Sequence, residues 1–530
     1  MRILIVALLV VLGLLARVPQ SVHPDQAAQL RALQQYLAGR SPSLNTVIEP
    51  DLRDLSRDRA IWIVSRPPGP QLAAYVWRAA GFSLGTAVRI VAILCLIAGT
   101  VGWFRWYGQF DMPKSVRYGV AAALPFLHQA SNSLYLFTQD TLSFAAAPWI
   151  LLLALWLAHR RDTASLGAWC VVGLALGSTY VIKYSLFFLG FGAAVWLATR
   201  SRPHRARLVA LAIGCAIPIA ALSVLNARFG PAVNSVTAQA GFYPRWGSLV
   251  ALLADPALAV GDGEGLIRTI LQTGAQYVPA YIGAPVGVAF LWLIAVGVRT
   301  PAARGLDAAR LGVAVFVATL VFMAIVWTFS EFAADAGARH FVPASLAVIP
   351  VAACGAMDLW RRRQWPVRAI IGCTGAAIVV IPLLYGALGL VAKARRAPSA
   401  YRLGSSDLFN VQLAPWPGAP DDLASIERRL VDQFGPTTDL WYCDDPATPL
   451  DLPGRVYGDV DERYLAPRFQ TSVPLRVTAL FQRKDDAHGG GAAIRGRFQG
   501  AGPWTQTVIP GAEVNVWTTL LAPTLPPRHR

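Results

Sequence analysis

The chain has 530 residues, of which 55% are apolar and 15% charged, well below the charged share of about 25% usual in soluble domains. With a mean hydropathy of +0.45 and apolar blocks of roughly 17 to 24 residues, long enough for a hydrocarbon core of about 30 Å, it reads as a multi-spanning membrane protein and not a single soluble globule. Lysine and arginine outnumber acids 47 to 30, a net charge of +17, but these cations lie mostly between apolar blocks, so membrane topology accounts for them before nucleic acid does.

Residues 3–16 follow Met1-Arg2 and resemble a signal-peptide core, yet no small-x-small site precedes Arg17-Val18-Pro19; an uncleaved first helix is predicted. Further spans are predicted at 86–104, 118–137, 141–158, 166–182, 185–199, 208–225, 280–298, 311–328, 341–359 and 368–391, eleven in all. Alternate connections carry Arg105, Lys114 and Arg117; Arg160 and Arg161; Arg200, Arg202, Arg205 and Arg207; Arg299, Arg304 and Arg310; and Arg361, Arg362, Arg363 and Arg368. The short connections on the other side carry only Lys183 and Arg339. Because cations near span ends are retained in the cytoplasm, the N-terminus is expected inside and the C-terminus outside. Cys95, Cys170, Cys215, Cys354 and Cys373 fall in apolar blocks, leaving Cys443 alone in polar sequence, so neither a disulfide framework nor a CxxC metal pattern is available.

Three long segments then lie outside: 17–83, 226–279 and the tail from 392. In the first, Leu30, Leu33 and Leu37 recur at helical spacing before Gly39 at a capping position. The opposite face is polar, which predicts a helix lying along the membrane surface. In the tail a helix-like run (Asp422 to Phe434) precedes strand-like runs at Asp439 to Cys443, Val473 to Gln482, Ala492 to Phe498, Thr505 to Ile509 and Val514 to Leu521. The expected architecture is an α-helical polytopic membrane domain over 1–391, with outer loops 17–83 and 226–279, and a small α/β or mostly β extracytoplasmic domain over 392–530.

The first outer segment begins His23-Pro24-Asp25-Gln26, continues through Tyr36-Leu37-Ala38-Gly39, and reaches Arg66-Pro67-Pro68-Gly69-Pro70 ahead of Ala87-Val88-Arg89. Asp140-Thr141-Leu142 follows the third span, Gly177 leads through Ile182-Lys183-Tyr184, and Arg339-His340-Phe341-Val342-Pro343 opens a late span. In this order and spacing, over most of residues 1–390, the sequence resembles the GT-C superfamily of membrane glycosyltransferases, particularly bacterial relatives of the protein O-mannosyltransferases. Two positions depart from that pattern: the family's Asp-Glu pair is Asp25-Gln26, which puts a metal role in doubt, and the His or Lys before Pro-Pro is Arg66, which keeps a positive charge.

The resemblance implies an inverting transfer of a sugar from a polyprenyl-phosphate donor to a glycolipid, polysaccharide or protein on the outer face of a bacterial inner membrane. Such a transfer needs a base for the acceptor hydroxyl and cations for the phosphate leaving group. On this reading Asp25 is the general base, Asp140 a second acid that orients the acceptor or supports a divalent metal, and Glu49 a marginal third candidate. Lys183, Arg339, His340, Arg66 and Tyr36 are expected to bind substrate.

Each residue also has a plainer role. Asp25 after Pro24 suits a helix N-terminus, Asp140 a helix cap, and Lys183 a snorkelling side chain. Arg339 and His340 are in reach of Glu331 or Asp335 along the chain, and Glu49, Asp51, Asp54 and Asp58 suit a solvated face. Trp441, Tyr442, Trp504 and Trp517 in the tail suit a strand core better than a sugar platform. A transporter or lipid flippase is the main competing function, but it needs a polar path through the bilayer, whereas the candidate polar residues gather at one face. A non-catalytic glycolipid-binding member of the family is the other. The spans exclude a soluble nucleic-acid binder, and no P-loop or GxGxxG motif supports a nucleotide enzyme.

Overall fold

Apolar blocks flanked by arginine become helices because, without water, every backbone N–H and C=O needs a partner within its own segment. In the computed structural model, which describes residues 2–15, 21–22, 24–64, 66–127, 136–200, 204–230, 242, 245–261, 263–272, 277–304, 306–329, 337–362, 365–395, 429–443, 452–458, 468–510 and 514–526, seven helices are long and apolar enough to cross a membrane. The chain runs α1 (Arg2–Leu15), β1 (Ser21–Val22), α2 (Pro24–Leu37), β2 (Thr46–Asp51), β3 (Asp54–Trp62), α3 (Gly69–Ala79), α4 (Leu84–Tyr107), α5 (Lys114–Ala123), β4 (Leu136–Phe137), α6 (Gln139–His159), α7 (Leu166–Ile182), α8 (Tyr184–Arg200) and α9 (Arg205–Phe229). Then follow α10 (Trp246–Leu258), α11 (Gly263–Leu271), α12 (Val278–Gly297), α13 (Asp307–Phe329), α14 (Val342–Arg362), α15 (Trp365–Gly375) and, after a π-helical turn over Ala376–Val380, α16 (Ile381–Arg395).

Helices in lipid gain little from burying apolar surface and associate through close backbone contact at small residues. Gly173 and Gly177 on α7 face α9: a Cβ at Gly173 would sit 2.3 Å from the Leu211 carbonyl oxygen, and one at Gly177 2.3 Å from that of Cys215. Gly287 on α12 lies equally close to α10, where an added Cβ would meet the Leu253 carbonyl oxygen at 2.0 Å. Internal prolines leave carbonyls four residues earlier without their helical donor, and α4 supplies replacements. Opposite Pro148, Trp103 Nε1 donates to the Phe144 carbonyl at 3.1 Å; opposite Pro350, the Tyr107 hydroxyl donates to that of Leu346 at 3.0 Å. These bonds tie α4 to both α6 and α14.

Several expectations change. The block at 118–137 is not one continuous span: the helix ends at Ala123, passes into a 3-10 turn (Leu124–Phe126), and the chain is extended again at Leu136–Phe137. Segment 226–279 holds two helices, α10 and α11, where an outer loop was expected, and α10 packs on α12. Helix α2 does end at Gly39, with φ +69° and Arg40 N–H donating to the Gln35 carbonyl at 2.8 Å, a Schellman-type stop. It does not lie on the membrane surface, however, because every residue from 26 to 33 is buried. Leu30 and Leu33 join the membrane-domain core, while Ala28 and Ala32 pack on Val47 and Ile63 of the β2–β3 hairpin.

The tail forms a five-stranded mixed sheet in the order β6-β5-β7-β9-β8, from β5 (Leu440–Cys443), β6 (Val456–Gly458), β7 (Leu475–Gln482), β8 (Thr505–Val508) and β9 (Val514–Leu521). Residues 429–434 of the helix-like run are helical, and 422–428 lie outside the described residues. The run Ala492 to Phe498 is not a strand; Gly490–Arg495 is a short helix whose Arg495 guanidinium lies 3.6 Å from the Trp517 ring centre. Trp441 and Tyr442 are buried in the sheet's two cores. The sheet docks on the segment between α1 and α4: Leu52 and Leu55 of the hairpin complete the cluster of Tyr442, Tyr457, Phe469 and Phe481. Leu55 N–H donates to the Gln470 carbonyl at 2.7 Å, and Arg455 Nη2 lies 2.7 Å from Asp58 Oδ1. Thus Asp54 is covered by the tail, whereas Asp58 bonds to the tail but stays exposed, as expected for a solvated face.

Candidate active site

Two short strands bring together the segments that follow the first and third predicted spans. β1 and β4 pair in parallel with Ser21 opposite Leu136 and Val22 opposite Phe137, and each strand runs directly into a helix. Asp25 and Asp140 each lie three residues beyond the Val22–Phe137 pair, in the first turns of α2 and α6. The side chain of Asp25 lies outside what the structure describes; its backbone position is fixed by this register. At α6 the sequence Thr138-Gln139-Asp140-Thr141 forms a capping box: Thr138 Oγ1 accepts from Asp140 N–H at 3.0 Å, and Thr141 Oγ1 from Thr138 N–H at 3.3 Å. An acidic residue in that first turn also complements the helix dipole.

Asp140 does more than cap, since its Oδ1 forms an ion pair with Lys183 Nζ. Lys183 is the single extended residue (φ −160°, ψ 134°) between α7 and α8. Its N–H still bonds to the Thr179 carbonyl at 3.0 Å, and its own carbonyl accepts from Leu186 N–H at 3.0 Å. The break therefore turns one lysine out of the helical pattern without orphaning backbone groups. Arg339 and His340 occupy a 3-10 turn (Ala338–His340) close enough for their charges to act on Asp140. That turn is held by Glu264, whose Oε2 accepts from Ala338 N–H at 2.9 Å and whose Oε1 lies 3.0 Å from Arg268 Nη2. Glu331 and Asp335, the alternative partners of Arg339 and His340, lie outside the described residues.

The half-buried Arg66 opens the Pro67-Pro68-Gly69 lead, which runs along the end of α7. Gln29 Nε2 donates to the Pro67 carbonyl at 2.7 Å, and a Cβ at Gly69 would approach Ile182 Cα, one residue before Lys183, to 2.9 Å. Tyr36 is set apart from Asp25: eleven residues along α2 separate them by about 16 Å, and its exposed ring meets Tyr75 edge-on at 6.4 Å. Glu49 is buried on the tail side of α2, its Oε1 2.6 Å from Arg31 Nη1; Arg31 Nη2 also donates to the Val456 carbonyl of the tail. The structure thus joins Asp140, Lys183, Arg339 and His340, runs the lead that follows Arg66 past the end of α7, and sets Glu49 in the contact between loop and tail.

Two further residues, Gln139 and Asp255, escaped sequence reasoning, and Gln26 was read only as a departure from the family's acidic pair. Gln139 Nε2, beside Asp140, and Gln26 Oε1, beside Asp25, are buried with no hydrogen-bond partner among the described residues. Asp255 on α10 is 3% exposed, and its Oδ2 likewise has no partner there. At 13 residues, or about 20 Å, α10 is too short to cross the hydrocarbon core. Burial first and the neighbouring Glu264 second push the Asp255 carboxyl up to about 8, against the opposing pull of Arg268. A lone aspartate in the apolar run Leu252-Leu253-Ala254-Asp255-Pro256 was the available signal.

Among the described residues no group of three His, Cys, Asp or Glu side chains is placed to hold a metal ion. The Asp140 carboxylate is already paired with Lys183 and faces two further basic residues, a donor set that fits an anion and does not fit a divalent cation.

No family's sequence profile matches the chain, and no curated protein matches it. It does resemble the solved structure of ArnT from Cupriavidus metallidurans bound to undecaprenyl phosphate, at 15% identity and a TM-score of 0.50, over 99% of this chain and 98% of that one. The same protein in the apo state aligns at 14% identity and a TM-score of 0.49, over 97% of both chains. The first likeness shows a shared GT-C-type fold along the whole length, tail included. That likeness is one of fold alone, and it gives no support to the narrower mannosyltransferase resemblance.

Proposed function

We propose that the protein is a membrane glycosyltransferase that moves a sugar from a polyprenyl-phosphate donor to an acceptor hydroxyl, with inversion at the anomeric carbon. The observation that carries this reading is the convergence of Lys183, Arg339 and His340 on Asp140, beside the helix start that bears Asp25. A polyprenyl-phosphate sugar presents a phosphate at the membrane surface with its tail in the bilayer, and three basic groups at the ends of apolar helices suit that geometry. The shared fold adds support, since the ArnT structure was solved with undecaprenyl phosphate bound.

In the proposed reaction the acceptor oxygen bonds to the anomeric carbon from the face opposite the phosphate. The carbon–oxygen bond to phosphate breaks with its electron pair going to the phosphate oxygen, and the acceptor proton passes to the Asp25 carboxylate. Lys183, Arg339 and His340, with Arg66 beside them, offset the charge left on the polyprenyl phosphate. Asp140 holds Lys183 in place and orients the acceptor. Charge counting along the connections favours the outer side for this chemistry, with the N-terminus cytoplasmic and the tail extracytoplasmic, and the family resemblance implies a bacterial inner membrane.

The test is transfer by purified protein in lipid from a panel of undecaprenyl-phosphate sugars to glycolipid, polysaccharide and protein acceptors, with Asp25→Asn and Lys183→Met compared at matched folding. Asp25→Asn should retain donor binding and lose turnover by at least 100-fold. Lys183→Met should weaken donor binding as well. Full turnover in Asp25→Asn refutes its role as base, and specific donor binding without transfer by the wild type favours a glycolipid-binding protein.

A further inference from the structure

A second recess lies far from Asp140, at the other end of the same helices. Between α8 and α13 is a groove of about 1110 Å³, open along one side, closed at its inner end by Phe191 and Phe322, and bearing Arg299 and Arg310 at its mouth. Its floor is made of small residues. Gly192 on α8 lets the helices touch, since a Cβ there would lie 2.8 Å from Val315 Cα, and Ala314 and Ala318 on α13 leave room above that contact. The end wall is an aromatic cluster: Phe322 stacks on Phe188 at 4.8 Å and meets Phe191 edge-on at 5.2 Å.

Length and charge select what fits. From Arg310 to Phe322 is twelve helical residues, about 18 Å, close to the roughly 15 Å thickness of one leaflet's hydrocarbon layer. The groove therefore spans one leaflet and stops at an aromatic wall. Because α8 begins immediately after Lys183 and ends at Arg200, the mouth opens at the membrane face opposite the candidate active site. Asp307 lies near the mouth, 2.9 Å from Arg200 Nε, 3.8 Å from Arg310 Nη1 and 4.0 Å from His159 Nε2. Among the described residues Arg299 has no ion-pair partner, so the mouth keeps an excess of positive charge.

We propose that this groove is a binding site for an anionic phospholipid of the leaflet opposite the candidate active site. The headgroup phosphate sits between Arg299 and Arg310, and one acyl chain lies on the Gly192–Ala314–Ala318 floor and ends against Phe322. Basic pockets between membrane helices recognise acidic headgroups in this way. The lipid fills a space that side chains leave open and braces α13, the helix that leads into the segment bearing Arg339.

The proposal goes beyond the glycosyltransferase reading and is tested without any transfer assay. Full-length protein, delipidated in non-ionic detergent, is titrated with palmitoyl-oleoyl phosphatidylglycerol or phosphatidylcholine and read by native mass spectrometry. The wild type should prefer phosphatidylglycerol about tenfold or more, and Arg299→Gln and Arg310→Gln should each cut that preference about fivefold. Arg299→Lys should retain it, and Ala318→Phe, which fills the floor, should weaken both lipids. As a measurement needing no variant, raising the salt to about 0.5 M should shrink the wild-type preference. Equal binding of the two lipids, a preference that survives the double Arg→Gln variant, or Ala318-dependent binding of undecaprenyl phosphate without phosphatidylglycerol would overturn the assignment.

Discussion

Glu49 separates a catalytic from a structural role for the first outer segment. Arg31 and Glu49 are 5% and 1% exposed, with Nη1 and Oε1 2.6 Å apart. Removing one member of such a buried pair leaves the other charge unmatched, at a cost of about 3–5 kcal/mol, whereas replacing both with apolar residues of similar volume is often neutral. Arg31→Leu also frees the Val456 carbonyl, so it belongs at the upper end, about 5 kcal/mol, with Glu49→Leu nearer 3. The double variant should lose less than the sum by at least about 2 kcal/mol. Denaturant unfolding in detergent micelles measures the losses, and amide exchange over Val456–Gly458 reports whether the tail lifts from the loop. If Glu49→Gln instead holds stability within about 0.5 kcal/mol and abolishes transfer, the structural assignment is wrong and Glu49 belongs to the chemistry.

At Asp140 and Lys183 the same logic gives a smaller effect, because Asp140 is one-fifth exposed and Arg339 and His340 also act on it. Asp140→Asn and Lys183→Met should each cost about 2–3 kcal/mol in micelle unfolding, and their sum should exceed the double variant's loss. Gly287→Ala should force α10 from α12 and lower stability by about 1–3 kcal/mol, whereas Gly389→Ala, where an added Cβ meets nothing within 4 Å, should be neutral or slightly stabilising in the same assay. Asp54 predicts an acid limit for tail docking. Burial favours its neutral form, but hydrogen bonds from Ser56 and Ser472 outweigh that and hold its carboxyl below the ordinary value of 3.8. Its contribution is therefore complete above about pH 3.8 and is lost as the pH falls through the lowered value. Amide exchange across the hairpin–tail contact should rise in that range, and Asp54→Asn should remove that pH dependence.

Seven of the eleven predicted spans match helices long and apolar enough to cross, legible because bilayer thickness imposes a length that no other environment demands. The block at 118–137 misled for the same reason: its apolar run has the right length, but it stops being helical at Ala123 and supplies the strand that aligns Asp140 with Asp25. Asp140, Lys183, Arg339 and His340 were found through ordered resemblance, while their meeting depends on contacts more than forty residues apart in sequence. Neither hydropathy nor charge pattern records such contacts. Arg31 on the polar face of α2, and Glu49 and Asp54 of the hairpin, read as solvated because much of their cover comes from the tail, hundreds of residues later, whereas Asp58 does remain exposed. Asp255 was hidden in an apolar run that gave no sign of its neighbour Glu264.

The contact from Arg31 to Val456 joins residues 425 positions apart, and that separation imposes a waiting time. At about 5–20 residues per second of synthesis, Arg31 emerges roughly 20 to 85 s before the carbonyl that receives it. Throughout that interval the hairpin lacks the surface that buries Leu52 and Leu55. A newly made chain therefore carries an unfinished β2–β3 hairpin until the strands of the tail sheet are in place. Truncation within the tail should accordingly expose the first outer loop to proteolysis while leaving the membrane helices inserted.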